Sequence, residues 1–460
     1  MQSSPPVLVW FRDDLRLSDH PALMAAVARG APLICLYVLD ETREVPHNRP
    51  PGGAARWWLA QSLRALNAGL VARGSGLTLR RGSAADIIAT LVRDAGVREV
   101  YWNEIDSAPA ARIAADVAHA VERHGAAWTS FRGDVLVRPA TLRTSDGRGL
   151  RVFTPFWKRV QNFGDPPAPL PAPKALPPAP ELASDDLASW ALEPSRPDWA
   201  GGLRATWILG ETAAQQRLAD FLAGDIAGYT SARDRLDSEA TSRLSPHLRF
   251  GEISPRQVWH AARFAAAERP AIAGDIDKFL SELGWREFCR HLLYDHPDLA
   301  TRNLQASFDA FPWRRDDTAL AAWQHGRTGY PIVDAGLREL WHTGVMHNRV
   351  RMVAASFLIK HLLIDWRAGE QWFWDTLVDA DLASNSASWQ WVCADAAPYF
   401  RVFNPSLQGA RFDPDGDYVR RWVPEIGKLH NSLLHSPWEA RPIELADAGI
   451  RLDRTYTAPR

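Results

Sequence analysis

The densest group of chemically useful side chains is the run DADLASNSASWQW, which begins at Asp379. Asp379 and Asp381 stand in an apolar region, where carboxylates are costly unless they are hydrogen-bonded or paired with a cation such as Arg351. Residues two apart on a helix point to different sides, so we expect Trp389 and Trp391 to face different surroundings, one a core and the other a cavity. A metal site is the rival interpretation, but no histidine or cysteine cluster lies nearby to complete it.

A second candidate is the hydroxyl-rich run TSRLSP at residues 241–246. Its three hydroxyls, its arginine and the free backbone amides of a helix N-terminus suit a phosphate group. Plain N-capping explains the same residues without a ligand, and both interpretations stay open. Tyr229, Arg233 and Arg235 lie shortly upstream.

Two further motifs each place three side chains, polar and apolar, on one helical face through three- and four-residue spacing. They are Glu282, Trp285 and Arg286, and then Asn348, Arg351 and Met352. In the first motif a carboxylate, an indole and a guanidinium converge, although a surface ion pair beside a core tryptophan would look the same. In the second motif an asparagine inside a helix needs a reason to be there, and buried capping of another helix is the alternative.

The elements that must position these residues differ between the two halves of the chain. Over the first 130 residues, short apolar runs alternate with helical stretches, which predicts a doubly wound parallel sheet with helices on both faces. No GxGxxG or GxxxxGK[ST] follows the first strand, so neither common dinucleotide nor P-loop chemistry is supported. The predicted strands are 7–11, 33–39, 77–80, 100–102 and 128–131.

A Pro- and Ala-rich stretch from about 165 to 197 separates this region from a half dominated by helical patterns. The prolines cannot propagate a helix or a ladder, so the stretch should run extended over the surface. Ser245-Pro246 and Ser254-Pro255 mark helix starts, each a cap residue followed by proline at the first helical position. We predict an α/β domain over 1–135, a linker over 136–200 and an all-α domain over 201–460.

The bulk composition limits the class of protein. A chain of 460 residues, 46% hydrophobic and 23% charged, indicates an ordered globular protein with two or three domains. Cys35, Cys289 and Cys393 are too few and too dispersed for a disulfide framework or a metal cluster, so a reducing cytoplasm fits best. We expect no signal peptide and no membrane span. A net charge of -1 means that a DNA partner would need a local basic patch.

Several ordered segments together resemble the photolyase and cryptochrome family, and specifically the bacterial class I pyrimidine-dimer photolyases. The resemblance covers nearly the whole chain and includes VLVWFRDDLRLSDHPAL, TSRLSPHLRFGEISPRQ, WREFCRHLLYDHP, WQHGRTGYPIVDAGLRELWHTGVMHNRVRMVAASFLIKHLLIDWR and PYFRVFNPSLQG. It implies an N-terminal α/β domain and a C-terminal helical domain that buries FAD. It also implies light-driven repair of cyclobutane dimers in UV-damaged DNA, by electron transfer from excited reduced FAD to a flipped-out dimer, photolyases being among the known base-flipping enzymes.

The resemblance implies specific FAD contacts. The diphosphate region would be held by Tyr229, Thr241, Ser242, Arg243, Leu244 and Ser245. The flavin and its ribose would be contacted by Asp379, Ala380 and Asp381. Arg351 would pair with Asp379, and Asn385 would face the flavin N5.

The resemblance also implies substrate contacts and an electron relay. Lining the dimer cavity would be Glu282, Trp285, Asn348, Met352 and Trp391. Touching or positioning the DNA strand would be Arg233, Arg286, Arg349 and Gln408. Electrons would pass from the surface to the flavin through Trp313, Trp366 and Trp389. Together with this relay, Glu282, Asn348 and Asn385 form the predicted catalytic set.

Some positions distinguish branches of the family or depart from its pattern. Asn385 stands where many signalling cryptochromes have an acid or a cysteine, and Asn348 where the 6-4 repair branch has histidine, so both favour cyclobutane-dimer repair. The segment Val392-Cys393-Ala394 is about three residues shorter than in relatives, and Asp-Ala-Asp replaces the usual Asp-Gly-Asp.

Pro109-Ala110 replaces the Asn-Glu pair that marks folate binding, although Asn103-Glu104 and His47 are present. A second, antenna chromophore of folate or deazaflavin type therefore stays open.

Two other functions are weighed against repair. A cryptochrome-like FAD photosensor would share the fold, but usually shows an altered residue at Asn385 or a long tail. A generic flavin electron-transfer enzyme would need a nicotinamide or redox-partner site, which the sequence does not reveal. We expect a monomer that acts on damaged DNA.

Overall fold

The computed structural model describes residues 4–42, 48–393 and 402–459. His47 and Ala394, both named above, lie outside these residues. The strands, each within a residue or two of its predicted run, are β1 (Val7–Phe11), β2 (Leu33–Leu39), β3 (Leu77–Arg81), β4 (Glu99–Asn103) and β5 (Ala127–Phe131).

The five strands form one parallel sheet in the order β3-β2-β1-β4-β5. β1 and β2 are buried along their whole lengths, as expected of a sheet covered on both faces. The strand order reverses at β1, and ligands of such sheets bind beyond the carboxyl ends at that point. The predicted α/β fold of the N-terminal region is confirmed.

Helices account for most of the remaining elements and dominate the C-terminal half, as predicted. In chain order they are α1 (Pro21–Ala28), α2 (Gly53–Val71), α3 (Ala84–Asp94), α4 (Ala108–Arg123), α5 (Phe153–Gln161), α6 (Gly201–Thr206), α7 (Glu211–Ala223), α8 (Tyr229–Ala232), α9 (Ser245–Arg249), α10 (Pro255–Glu268), α11 (Ala273–Asp295), α12 (Asp317–Gln324), α13 (Pro331–Thr343), α14 (Asn348–Ser356), α15 (Trp366–Thr376), α16 (Leu382–Val392), α17 (Pro405–Phe412), α18 (Asp417–Trp422), α19 (Asn431–Leu434) and α20 (Pro442–Asp447). A turn of π-helix at Phe357–His361 follows α14 directly.

The chain divides into two compact units, each made of three segments. The first contains Met1–Asp198, Ile208–Gly224 and Ser242–Asp298, and the second contains Trp199–Trp207, Asp225–Thr241 and Leu299–Arg460. The first unit therefore holds the sheet together with α7 and α9 to α11. The predicted domain boundaries at 135 and 200 stay a prediction.

Each unit has its own apolar core. In the first, side chains from the sheet, such as Leu8 and Ile34, pack with Ile88 of α3 and Val117 of α4. In the second, the core is formed mainly by α13 to α16 and the segments that follow them, and it includes the fully buried Trp366. Burial of this aromatic and aliphatic surface is the main favourable term that fixes the helices which carry the candidate site.

The predictions made from the Pro-rich stretch and from the two Ser-Pro helix starts have different outcomes. The Pro-rich stretch from 165 to 197 contains no α-helix or strand, as predicted, but it includes a turn of 3-10 helix at Leu187–Trp190. Within the stretch, Leu176 N donates to the carbonyl of Arg73 at 2.8 Å. Ser254 caps α10 in a capping box with Gln257, as predicted. The prediction that Ser245 is a cap is wrong by one residue, because Leu244 occupies that position and Ser245 is the first residue of α9.

Candidate active site

An ion pair on the second unit joins Arg351 of α14 to Asp379, just before α16. Arg351 Nη2 donates to Asp379 Oδ2 at 2.9 Å, and Arg351 Nε donates to the carbonyl of Met346 at 2.7 Å. The other carboxylate oxygen, Oδ1, is buried and accepts no hydrogen bond from the described residues. A buried acceptor left without a donor costs free energy, which a ligand N–H would recover.

α16 begins at the second aspartate of the motif and presents Asn385 one turn later. Asp381 caps the helix by accepting from Ser384 N at 2.8 Å. Asn385 Nδ2 donates to Glu370 Oε1 at 2.8 Å and to the Glu370 carbonyl at 3.1 Å. Because its NH₂ group is committed to α15, the amide oxygen is the polar atom that Asn385 can still offer to a ligand.

Glu370 is a site residue that the sequence analysis missed. Its side chain is almost fully buried, at 2% exposure, within the tryptophan-rich helix α15. An acid on the apolar, tryptophan-rich face of a helix was the available signal, because burial of a carboxylate is costly unless hydrogen-bond donors surround it. Its contact with Asn385 makes it a positioning residue for that amide.

The predicted relay residues all lie in the second unit. Trp389 is 2% exposed and packs 5.1 Å from Phe373, centroid to centroid. A methyl group at Gly369 would overlap the Trp389 ring, so this glycine admits the indole to the surface of α15, one turn from Trp366. Trp391 is only partly buried, in agreement with the expectation that the two indoles face different surroundings.

A backbone bridge joins the segments that carry the other two relay residues. Trp366 is fully buried and its Nε1 donates to Asn303 Oδ1 at 2.9 Å. Arg314, next to Trp313, forms a parallel bridge with Ile364, two residues before Trp366. Trp313 itself is partly exposed, so the three indoles range from a buried position to a surface position.

The start of α14 corrects one prediction. Asn348 is not inside the helix but is its first residue, after His347 as the cap, and it is exposed. A weak helix former is therefore tolerated there without any special reason. Arg349 Nη1 lies 3.9 Å from Sδ of Met352, which is partly buried one turn later.

His347 links α14 to the loop that follows α8. Its Nδ1 accepts from Arg349 N at 3.2 Å, and its Nε2 donates to the carbonyl of Arg233 at 2.9 Å. Both bonds require the neutral ring with its proton on Nε2. Burial lowers the pKa of His347 to about 4.

Acidification is expected to destabilise the wild type relative to His347→Asn, which keeps an N-cap but cannot titrate. Between the usual histidine pKa of 6.5 and the folded value of about 4, the unfolded chain binds the proton and the folded protein does not. The contribution of neutral His347 to the free energy of unfolding is therefore complete above pH 6.5. It decreases as the pH is lowered towards 4, by about 3 kcal/mol in total. Unfolding free energies measured from pH 7 to pH 4 test this, and parallel profiles for the two proteins would contradict it.

The hydroxyl-rich run is placed at a very short helix. Arg243 has a positive φ of 52°, and Arg217 Nε donates to the carbonyl of Ser242 at 3.0 Å. Thr241 and Ser242 are partly buried and Ser245 is exposed. Tyr229 is buried at the first position of α8. The assignment of these residues to FAD stays a prediction.

The Glu282 motif lies on α11 in the first unit. Glu282 pairs with Lys278 at 2.9 Å, one turn earlier, and Trp285 stacks on Phe153 with centroids 3.8 Å apart. The pair is only partly buried, and ion pairs of this kind are weak.

Arg286, on the same helix, is turned into the first unit. Its Nη1 donates to the carbonyl of Asp134 at 2.7 Å and lies 3.1 Å from Glu287 Oε1, and its side chain is 12% exposed. Burial raises the pKa of Glu287 to about 7. Arg286 is therefore partly buried, and the expectation that it touches or positions the DNA strand stays a prediction.

A cavity of about 500 Å³ in the first unit is lined by the end of β4, the segment that follows it, α4 and β5. Trp102 and Trp128 line it and stack on each other with centroids 5.2 Å apart. Arg12 also lines it and donates from Nη2 to the carbonyl of Ala110 at 2.9 Å. Burial raises the pKa of Asp106, another lining residue, to about 6.

Three features of the described residues bear on the remaining expectations. The three cysteines are buried free thiols. No helix within the described ranges is long and apolar enough to cross a membrane. Gln408 lies on α17 and is partly exposed.

The described residues thus form a parallel-sheet unit and a helical unit, and the helical unit carries the Arg351–Asp379 pair and a series of indoles. Residues 7–174 match the family model described as DNA photolyase, and residues 279–460 match the FAD binding domain of DNA photolyase. The chain belongs to the photolyase and cryptochrome family.

Individual relatives agree with this membership. The chain is 48% identical over 459 residues to the deoxyribodipyrimidine photo-lyase of Agrobacterium fabrum, covering 99% of this chain and 94% of that one. It is 38% identical over 473 residues to cryptochrome-1 of Arabidopsis thaliana, covering 98% of this chain and 67% of that one. The crystal structure of a bacterial class III photolyase from Agrobacterium tumefaciens is similar with a TM-score of 0.95 at 48% identity, covering 100% of this chain and 94% of that one.

Proposed function

We infer that the chain is a deoxyribodipyrimidine photo-lyase, which uses light to repair cyclobutane pyrimidine dimers in DNA. The observation that carries this inference is the 48% identity to an enzyme of that name over almost the entire length of both chains. The similarity to a class III photolyase supports class III, in place of the class I assignment that the sequence motifs suggested.

The residues of the second unit fit FAD. The unsatisfied Oδ1 of Asp379 and the amide oxygen of Asn385 are acceptors for N–H groups of a ligand, and Arg351 holds Asp379 in place through its other carboxylate oxygen. Bound FAD supplies one-electron chemistry on excitation. The proposed contacts in this unit are Tyr229, Thr241, Arg351, Asp379, Ala380, Asp381 and Asn385, and the family resemblance adds Ser242, Arg243, Leu244 and Ser245.

We propose that the flipped-out dimer is received by aromatic and polar side chains. Trp285 and Trp391 supply flat apolar contacts for the pyrimidines. Glu282 gives up its weak pair with Lys278 to accept from a pyrimidine edge. Asn348 and Met352 contact the dimer, and Arg233, Arg349 and Gln408 contact the strand, so binding should weaken with salt.

Trp313, Trp366 and Trp389 form the proposed path for electrons from the surface. Their gradation from partly exposed to fully buried supports this direction. The path restores reduced FAD and has no part in recognising DNA.

We propose that the cavity beside β4 and β5 holds the second chromophore, of folate or deazaflavin type. The stacked Trp102 and Trp128 offer a face to a planar ring, and Arg12 offers a cation. Pro109-Ala110, which replaces the Asn-Glu pair of folate-binding relatives, lies in the first turn of α4 between the lining residues Ala108 and Ala111.

The second candidate function, a blue-light photosensor, is favoured by the identity to cryptochrome-1. We also propose that the protein is a monomer of the cytoplasm, where buried free thiols at Cys35, Cys289 and Cys393 persist.

The substrate assignment is tested with two duplexes, one with a cyclobutane thymine dimer and one with a 6-4 photoproduct. Blue light is expected to restore only the first, because Asn348 cannot act as the proton donor that a protonated histidine would be. Restoration of the second duplex, or of neither, would contradict the assignment, and restoration of neither would favour the photosensor.

A further inference from the structure

One carboxylate in the second unit is shared between two arginines that we assign to DNA. Arg349 Nη2 donates to Asp234 Oδ2 at 2.7 Å, and Arg233 Nε lies 3.5 Å from Asp234 Oδ1. The side chains of Asp234 and Arg349 are 34% and 31% exposed, whereas that of Arg233 is 11% exposed. The cluster is therefore held in the protein on one side and open to solvent on the other.

Neighbouring groups hold this cluster in one arrangement. The Arg349 guanidinium lies 5.4 Å from the ring of Phe412, and that of Arg233 lies 5.5 Å from the ring of Tyr229. Burial works against the charge of Asp234, but Arg349 and Arg233 outweigh it and hold the pKa of its carboxyl below the usual value. Asp234 is thus a fixed negative charge among the cations.

The cluster lies next to the proposed dimer contacts. Arg349 follows Asn348 directly, and its Nη1 reaches to 3.9 Å from Sδ of Met352. The same guanidinium therefore contacts Asp234 through one nitrogen and the Met352 side chain through the other. Whatever fixes Arg349 also fixes the approach of a DNA strand to Asn348 and Met352.

We propose that Asp234 is a specificity-determining residue, which neutralises and orients Arg233 and Arg349 so that they favour DNA with a flipped dimer over undamaged DNA. The proposal rests on the proposed DNA contacts of these two arginines. Phosphate binding by cations strengthens the affinity for any DNA sequence, damaged or not. Undamaged DNA makes only these phosphate contacts, so the negative charge of Asp234 weakens the binding of undamaged DNA most.

A DNA strand with a flipped dimer responds differently to the same carboxylate. It gains further contacts with the base-binding residues, and these contacts need Arg349 in a defined orientation. A carboxylate that fixes the guanidinium helps this complex while it opposes the other. Discrimination between the two DNAs is then a difference that Asp234 enlarges.

The test measures dissociation constants in the dark for undamaged and dimer-containing duplexes over a range of salt. Asp234→Asn and Asp234→Ser remove the charge, and Asp234→Glu retains it as the matched control. The first two are expected to bind undamaged DNA about fivefold more tightly, with a salt dependence steeper by about one phosphate contact. They should not bind dimer DNA more tightly, so discrimination should fall about fivefold, and Asp234→Glu should stay close to the wild type.

The proposal would be overturned if Asp234→Asn and Asp234→Ser weakened the binding of both DNAs equally, or left the ratio of the two dissociation constants unchanged. The carboxylate would then have a structural role only. Arg349→Gln separates this from the underlying assignment. It should weaken both duplexes, and unchanged affinities for both would refute the DNA contact itself. Loss of the Asp234→Asn effect in the Arg349→Gln background would confirm that the two side chains act together.

Discussion

Replacing Trp389 with phenylalanine is expected to slow photoreduction of bound FAD at least tenfold while leaving the binding of dimer-containing DNA intact. Phenylalanine fills most of the same buried space beside Gly369 and Phe373, so the second unit should keep its core. It lacks the oxidisable indole, so the path from Trp366 inward would be interrupted at its innermost member. The measurement is the rate of flavin bleaching under blue light with an external reductant.

Trp323→Phe is the matched control for this prediction. Trp323 is also fully buried, and its ring centroid lies 6.3 Å from that of Trp389, but it is not part of the proposed path. We expect its photoreduction rate to stay within about twofold of the wild type. If Trp323→Phe slowed photoreduction and Trp389→Phe did not, the assignment of the path would be wrong.

The second large effect is expected from Asp379→Asn, which should weaken FAD retention by about ten- to a hundredfold. The substitution keeps the shape of the side chain but removes the charge that pairs with Arg351 and balances it near the ligand. A hydrogen bond to a charged group contributes about 1.5–3 kcal/mol, and each 1.4 kcal/mol is a factor of ten in affinity. FAD released on dialysis, followed by flavin absorbance, gives the retained fraction.

Asp375→Asn is the control, because it removes the same charge from an exposed position on α15. It should retain FAD like the wild type. Equal retention by Asp379→Asn and Asp375→Asn would mean that the Arg351–Asp379 pair is structural and that FAD is held elsewhere.

The fold of the N-terminal half followed from local sequence signals. Fully apolar runs such as Val7–Phe11 are typical of strands that are buried on both faces, as in a parallel sheet, so strand positions were predicted to within a residue or two. The capping signal at Ser254 was equally informative because the chain there also has glutamine at the third position of the helix. The same logic was off by one residue at Ser245, where α9 is too short for capping to dominate.

The sequence could not predict which side chains form hydrogen bonds with residues far along the chain. Nothing near Asn385 indicated that its amide donates to Glu370, 15 residues away, and nothing near Asn348 indicated that His347 caps the helix. The inward position of Arg286 depends on Asp134, 152 residues earlier. Helical spacing gives the face on which a side chain lies, but the tertiary structure determines what that face meets.

The most direct test mixes purified, photoreduced protein with an oligonucleotide that contains a thymine dimer, under blue light, and follows the recovery of thymine absorbance. The account predicts recovery that requires light and bound FAD and that is lost in Asp379→Asn after dialysis. No recovery by protein that retains fully reduced FAD would contradict the account.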